Sequence, residues 1–245
     1  MKQRVITAAV ALVLFIPIIW IGGIAVELTA AVLAVVGVYE LFRMKGLTLL
    51  SFEGVYPLLV QCSLSCQKKD GSLLPENVST FMLFYLIVMI LLGTSVISKN
   101  TYTIDEAGFP VLVSLYVGIG FQNFVNARTE SLAVLIFGLF IVWATDIGAY
   151  MVGRRYGQHK LSPDISPNKT IEGALGGIGS AVVVAFLYLL LYPAKELFNH
   201  GMFVMLLMTI IFSAVGQFGD LVESAIKRHY DVKDSGNILP GHGES

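Results

Sequence analysis

The fold is decided by apolar stretches such as residues 132–152, LAVLIFGLFIVWATDIGAYMV, in which Asp146 is the one charged side chain. A helix needs about 20 mostly apolar residues to cross the hydrocarbon core of a bilayer. Stretches of this length also lie at residues 4–22, 24–42, 47–65, 79–98, 108–126, 171–193 and 200–220. The stretch at 47–65 is the weakest, because it contains Glu53 and Pro57. We therefore predict an all-α, polytopic integral membrane protein with about eight transmembrane helices.

The composition agrees with this fold class. Of the 245 residues, 56% are hydrophobic and 13% are charged, whereas about 25% charged is typical of soluble domains. A water-soluble core of this size could not bury so much apolar surface. The net charge of −1 identifies no partner, because the charges are clustered, and we expect no nucleic-acid ligand. Cys62 and Cys66 match neither a zinc pattern nor a C-x-x-C pair, so we expect them to pack among apolar side chains.

The distribution of lysine and arginine predicts the orientation in the membrane. If the N-terminus is cytoplasmic and the spans alternate, twelve of the sixteen Lys and Arg residues face the cytoplasm. Such an excess is typical of cytoplasmic loops. We therefore predict a multi-pass protein of the cell membrane, with the N-terminus and the polar loops in the cytoplasm.

The chain changes character near residue 140. The helices before this point carry few ionisable groups, whereas Asp146, a basic loop at 153–170 and Asp220 follow it. We interpret residues 1–245 as a single membrane domain in which 1–140 form a helical scaffold and 141–245 form the catalytic half.

Asp146 is the first candidate functional residue. A carboxylate inside a span is costly, so it is usually functional or paired. Tyr150 lies one turn further along the same helical face, and Arg154 lies near the predicted cytoplasmic end. A structural hydrogen bond or ion pair of Asp146 remains the alternative.

The stretch from Ser166 resembles a helix start. Serine is a good N-cap and proline suits the first helical position, so we predict that a helix begins at Ser166-Pro167. Its free backbone N–H groups, beside Lys169 and Thr170, would form a phosphate site. An ordinary capped helix with a solvated lysine is the alternative. Three small residues downstream favour close helix packing: Gly173, Gly177 and Ser180.

A third candidate group lies where the last apolar stretch ends. Asp220, Ser224 and Lys227 are spaced i, i+4 and i+7, so they share one helical face. A carboxylate, a hydroxyl and an ammonium suit a metal-bound polyphosphate, since Mg²⁺ prefers one or two carboxylates plus phosphate oxygens. A helix end that simply emerges into water is the alternative.

Three motifs follow one another along the second half of the chain. They are TDIGAYMVGR at 145–154, SPNKTIEG at 166–173 and a C-terminal series of SAIKR at 224–228, KDSG at 233–236 and LPGHG at 239–243. The C-terminal series resembles the signature of the phosphatidate cytidylyltransferase (CDP-diacylglycerol synthase) family, and the two upstream motifs are similar to two further motifs of that family. The first 140 residues match in hydropathy.

The resemblance implies a reaction and a site. The reaction joins CTP to phosphatidic acid, giving CDP-diacylglycerol and pyrophosphate, and it depends on Mg²⁺ at the cytoplasmic membrane face. By this resemblance Asp220 is the metal ligand, and Asp220 and Lys227 are catalytic. The expected substrate-binding residues are Asp146, Ser166, Lys169, Thr170, Glu172, Ser224, Arg228, Lys233, Asp234 and His242. A second cation and a homodimer are left open.

The chain departs from the family pattern at its end. Members of the family continue from His-Gly into a second glycine, an Asp-Arg-x-Asp segment and a last membrane helix. Here Glu244 and Ser245 follow, and the sequence stops. One aspartate expected to share the metal with Asp220 is therefore missing. We expect a truncated product that is weak or inactive as a synthase.

Two other functions fit some of the same residues. A transporter for an anionic solute would place charged or broken helices near the midplane of both halves, whereas the polar groups here gather in one half. Another CTP-using membrane enzyme, such as a polyprenol kinase, would release a lipid monophosphate instead of a CDP-lipid.

Overall fold

The structure is a computed structural model that describes residues 2–47, 80–99 and 101–232. Its elements are α1 (Lys2–Ile21), α2 (Ile24–Met44), α3 (Thr80–Ile97), α4 (Ile104–Glu130), α5 (Leu132–Tyr156), β1 (Lys160–Ser162), β2 (Ser166–Thr170), α6 (Ile171–Leu191), α7 (Ala194–Phe198) and α8 (Met202–His229). Within these ranges α2, α4, α5, α6 and α8 are long and apolar enough to cross a membrane, and α1 and α3 contain shorter apolar segments. The prediction of an all-α membrane protein is confirmed.

The predicted spans agree with these helices. Seven of the eight predicted stretches fall on described helices, and the eighth, at 47–65, lies outside the described residues. Backbone contacts divide the described chain into two units, one ending at Thr129 and the other beginning at Glu130. The assignment of 1–140 as scaffold and 141–245 as catalytic half stays a prediction.

In the first unit, α1 and α2 are joined at Gly22 and Gly23, whose φ angles are 72° and 54°. Glycine suits this left-handed region because it lacks a Cβ. Arg128 of α4 donates from Nε to the carbonyl of Ile19 at 2.6 Å and from Nη2 to that of Trp20 at 3.1 Å. The guanidinium thus satisfies carbonyls that the last turn of α1 leaves without helical partners.

In the second unit, α5 and α6 pack closely through small residues. A Cβ on Gly177 would lie 2.8 Å from the carbonyl oxygen of Thr145, and one on Gly173 would lie 2.8 Å from that of Ala149. A Cβ on Gly148 would collide with the side chain of Ser180. The predicted close packing of this glycine-rich helix is confirmed, and it brings the backbone of α6 against the face of α5 that carries Asp146.

A short antiparallel hairpin, β1–β2, connects these two helices, with Lys160 opposite Thr170 and Ser162 opposite Ser166. The prediction that a helix begins at Ser166-Pro167 is therefore wrong. The N-cap is Thr170, whose Oγ1 accepts a hydrogen bond from the Gly173 N–H at 3.1 Å. Ser166 precedes a proline and is biased toward extended backbone, and a proline is tolerated in a strand that has no partner on one side.

Candidate active site

A pocket of about 530 Å³ lies in the second unit among α5, the β1–β2 hairpin, α6 and α8. Its floor contains small residues, including Ala149, Gly153, Gly173 and Ala174. Its polar side chains come from three elements: Asp146, Tyr150 and Arg154 of α5, Asn168, Lys169 and Thr170 of β2, and Gln217 and Asp220 of α8. The small residues of α5 and α6 leave space for a ligand, and the charged side chains of α5, β2 and α8 line that space.

The central contact of the pocket joins Lys169 to Asp220. The Lys169 Nζ lies 2.5 Å from Asp220 Oδ2, and the two side chains are 28% and 58% exposed. At this distance the ammonium and the carboxylate form an ion pair. An ammonium group has three donors, so Lys169 can donate to a ligand as well as to Asp220. Phosphate oxygens are suitable acceptors for such donors.

The predicted face of α5 is present in the pocket. Asp146, Tyr150 and Arg154 all line it, and Arg154 donates from Nη1 to the Tyr150 hydroxyl at 3.1 Å. The Asp146 carboxyl is close enough to interact with the charges of both Asp220 and Lys169. Two carboxylates from different helices therefore share one pocket with an ammonium and a guanidinium.

Gln217 holds α8 against the start of α6. Its Nε2 donates to the carbonyl oxygen of Ala174 at 3.2 Å. Gln217 lies three residues before Asp220 and so on the same side of α8. The amide and the carboxylate thus contact two successive elements, α6 and β2, from one face of α8.

Two of the first N–H groups of α6, which would serve the predicted phosphate site, are bound to other protein groups. The Ile171 N–H donates to the carbonyl of His159 at 2.9 Å, and the Gly173 N–H donates to the Thr170 side chain. These internal partners compete with any anion for the same donors. The positive charge that faces the pocket comes instead from the side chains of Lys169 and Arg154.

Glu172 binds the turn before the hairpin and does not line the pocket. Its Oε2 accepts from the Gln158 N–H at 3.1 Å and from the His159 N–H at 3.2 Å. Its Oε1 lies 2.5 Å from Nδ1 of the exposed His159 ring. Glu172 therefore fixes the base of the hairpin that carries Lys169, and its carboxylate is directed to the protein itself.

Beyond Asp220, the polar side chains of α8 also bind other protein groups. Ser224 donates from its hydroxyl to the Asp220 carbonyl at 2.9 Å, and Lys227 pairs with Glu223 at 3.1 Å. Arg228 donates from Nε to the carbonyl of Ile165 at 3.3 Å, which ties the end of α8 to the hairpin turn. Sharing a helical face with Asp220 does not bring Ser224 or Lys227 onto the pocket lining.

Comparison with known proteins identifies the family to which the chain belongs. The family model described as "Cytidylyltransferase family" matches residues 2–243. The chain belongs to this family. A phosphatidate cytidylyltransferase of Staphylococcus haemolyticus is 43% identical over 245 residues, covering 99% of this chain and 91% of the relative. The Bacillus subtilis phosphatidate cytidylyltransferase is 40% identical over 246 residues, with 99% and 90% covered.

The carboxylates of the pocket fit the magnesium ion that the family resemblance implies. Asp146 and Asp220 are oxygen donors from two helices, and Mg²⁺ is commonly bound by one or two carboxylates together with substrate phosphates. Among the described residues there is no group of three or more His, Cys, Asp and Glu side chains that could hold a metal without a substrate. A site completed by phosphate oxygens is consistent with both observations.

The sequence found part of this pocket. Of the predicted site residues, Asp146, Lys169, Thr170 and Asp220 line it. The described structure does not place five others on the lining: Ser166, Glu172, Ser224, Lys227 and Arg228. Lys233, Asp234 and His242 lie outside the described residues. Asn168 and Gln217 line the pocket but were missed, although Asn168 adjoins Lys169 and Gln217 lies one turn before Asp220.

Proposed function

We propose that this chain transfers the cytidylyl group of CTP to phosphatidic acid, forming CDP-diacylglycerol and releasing pyrophosphate. The relatives that carry the name phosphatidate cytidylyltransferase match almost the whole chain. The observation that best supports the proposal is the 2.5 Å contact of Lys169 with Asp220 in a pocket that also contains Asp146 and Arg154.

The reaction brings two anions together. A phosphate oxygen of phosphatidic acid forms a bond to the α-phosphorus of CTP, and the bond from that phosphorus to the bridging oxygen of pyrophosphate breaks. Little covalent chemistry is required of the protein, so positioning and charge stabilisation carry the catalysis. The three donors of the Lys169 ammonium allow it to bind phosphate oxygens, and Arg154 adds a second positive charge to the pocket lining. The hydrogen bond from Arg154 to Tyr150 fixes the direction of the guanidinium.

Asp220 and Asp146 are the residues that would hold Mg²⁺ in this pocket. When bound, the ion supplies charge neutralisation for the triphosphate and for the leaving pyrophosphate. Besides Asp146 and Asp220, no carboxylate of the described residues lines the pocket, so these side chains provide for one ion. A second cation stays a prediction.

The proposed location is the cytoplasmic face of the cell membrane. Asp220 is the first charged residue of α8 and follows its apolar part, and Lys169 directly precedes Thr170, the N-cap of the apolar helix α6. At such a boundary the acyl chains of phosphatidic acid can stay in the bilayer while its phosphate meets CTP from water. The excess of lysine and arginine in the predicted cytoplasmic loops supports this orientation. A homodimer stays a prediction.

The test is product formation by the purified chain. CTP labelled at the α-phosphate, phosphatidic acid and Mg²⁺ are incubated with the 245-residue protein and with Asp220→Asn, each with and without EDTA. We expect a low yield of labelled CDP-diacylglycerol from the unsubstituted protein, which Asp220→Asn and EDTA remove. Absence of a labelled lipid refutes the proposal. In a parallel incubation with CTP labelled at the γ-phosphate, transfer of the label to a lipid indicates a kinase instead.

A further inference from the structure

We propose that Thr145 and Ser213 are positioning residues, which hold the two carboxylate-bearing helices in register through a hydrogen bond inside the bundle; this proposal rests on the proposed function. Their hydroxyl oxygens lie 2.8 Å apart, and the residues are 3% and 2% exposed. Neither residue lines the pocket. Thr145 is the first residue of the motif at 145–154, but neither Thr145 nor Ser213 was a predicted site residue.

Thr145 also has a partner in its own helix. Its hydroxyl oxygen lies 2.8 Å from the carbonyl oxygen of Ile141, to which it can donate. A hydroxyl has one proton to donate, so both contacts are satisfied together when the Ser213 hydroxyl donates to Thr145 Oγ1. The result is a chain from Ser213 of α8 through Thr145 to the backbone of α5. Burying a hydroxyl in hydrocarbon is unfavourable unless it has a hydrogen-bond partner. The pair therefore favours the arrangement of the two helices in which both hydroxyls are bonded.

The pair lies on the same two helices as the two carboxylates of the pocket. Thr145 directly precedes Asp146, and Ser213 lies seven residues, or about two turns, before Asp220 on the same side of α8. Gln217 lies between them on that side and donates to α6. One face of α8 thus contacts α5 through Ser213, α6 through Gln217 and β2 through Asp220. Because the three contacts are in line, a rotation or a shift of α8 that breaks the first also displaces the last.

The chain supplies a matched control one turn before Ser213. Thr209 is 0% exposed, and its hydroxyl donates to the Met205 carbonyl in its own helix at 2.9 Å. Thr209→Val removes a buried hydroxyl of the same helix at constant shape, without removing a bond between helices. Thr145→Val removes the acceptor of the interhelical bond, and Ser213→Ala removes its donor. Thr145→Ser keeps the hydroxyl and serves as the conservative rescue.

The first measurement is steady-state kinetics with CTP and phosphatidic acid. Interhelical hydrogen bonds in membranes have energies that correspond to about three- to fifteenfold in an equilibrium. We expect Thr145→Val and Ser213→Ala each to lower kcat/KM by about that factor, and the double variant to be no worse than the more affected single one. Thr145→Ser and Thr209→Val should stay within about twofold of the wild type.

The second measurement needs no activity. Spin labels on Arg155→Cys and His229→Cys, at exposed positions of α5 and α8, report the distance between the helices after Cys62 and Cys66 are replaced by serine. We expect a shifted or broader distance distribution in Thr145→Val and Ser213→Ala, and an unchanged one in Thr209→Val. The proposal is overturned if the distributions do not change, if the kinetic effects match those of Thr209→Val, or if the two effects multiply in the double variant. A wild type that makes no CDP-diacylglycerol refutes the proposed function, while the distances still decide the role of the pair.

Discussion

Gly177→Ala should loosen the contact between α5 and α6 and thereby disturb the pocket. The new Cβ would lie 2.8 Å from the Thr145 carbonyl oxygen and 3.1 Å from the Ala149 Cβ. Ordinary van der Waals contacts begin at 3.4 Å, so the backbones must separate by about 0.6 Å at this point. Close helix approach through small residues is a main source of association inside membranes.

The expected loss follows from two opposed effects. Overpacking a well-packed contact costs about 1–3 kcal/mol, whereas replacing a helical glycine by alanine gains roughly 0.5–1 kcal/mol. We therefore expect the free energy of unfolding to fall by about 1 kcal/mol, within a range of roughly 0–2.5 kcal/mol. Activity should fall as well, because the displaced carbonyl belongs to Thr145, next to Asp146.

Gly179 of the same helix is the matched control. It is exposed, and a Cβ there would meet nothing within 4 Å. Gly179→Ala should therefore keep or slightly raise the free energy of unfolding. The assay is titration with sodium dodecyl sulfate in mixed micelles, followed by circular dichroism, together with CDP-diacylglycerol formation. If both alanine variants unfold at the same detergent fraction and keep equal activity, the account of the α5–α6 contact is wrong.

Three further predictions concern the pocket and its supports. Lys169→Met and Asp220→Asn should each lower kcat for CDP-diacylglycerol formation by about 10²–10³-fold, since a charge aimed at the reacting phosphates is lost. Arg155→Gln is the control, because Arg155 lies outside the pocket lining. Equal rates in all three variants would exclude the assigned roles. Glu172→Gln should raise KM for CTP by about fivefold, because the turn before the hairpin loses a charged acceptor. An unchanged KM would show that this turn does not orient Lys169. Arg128→Ala should lower the free energy of unfolding in the same detergent titration by about 1–3 kcal/mol, since two carbonyls at the end of α1 lose their donor. Arg128→Lys should have an intermediate effect. An unchanged free energy of unfolding in Arg128→Ala would contradict the capping role.

The helical fold was predictable because the physical requirement is local. A stretch of about 20 apolar residues is visible in the sequence without knowledge of its neighbours. The same holds for the face of α5 that carries Asp146, Tyr150 and Arg154, since helical periodicity alone puts them in line. The interpretation of Gly173 and Gly177 as packing residues succeeded for a related reason, because glycines inside a span have few other uses.

The failures came where two local signals competed or where the partner is distant in sequence. Ser166-Pro167 has the composition of a helix start, but Thr170 also caps a helix, and strand pairing with Lys160 decides between them. Periodicity placed Ser224 and Lys227 on the side of Asp220, but it could not show that the backbone and Glu223 take their polar groups. Such partners are set by tertiary packing and by competition among nearby groups.

The contact between Lys169 and Asp220 also explains how the pocket can be stable without its substrates. Two carboxylates, one ammonium and one guanidinium line it, so the formal charges balance. If Lys169 turned to a phosphate oxygen, the Asp220 carboxylate would be left without its partner, and a carboxylate so placed is the kind of ligand that Mg²⁺ prefers. On the proposed function, each charge would then keep a counter-charge before and after binding, which would avoid the cost of an unpaired ion at the edge of the apolar bundle. It follows that Lys169→Met, which removes the competing ammonium, should bind Mn²⁺ more tightly than the wild type in the absence of CTP, even though its activity is lower. Asp220→Asn should bind Mn²⁺ more weakly, and electron paramagnetic resonance of free Mn²⁺ measures both. Weaker binding by Lys169→Met would mean that the lysine supports the ion and does not compete with it.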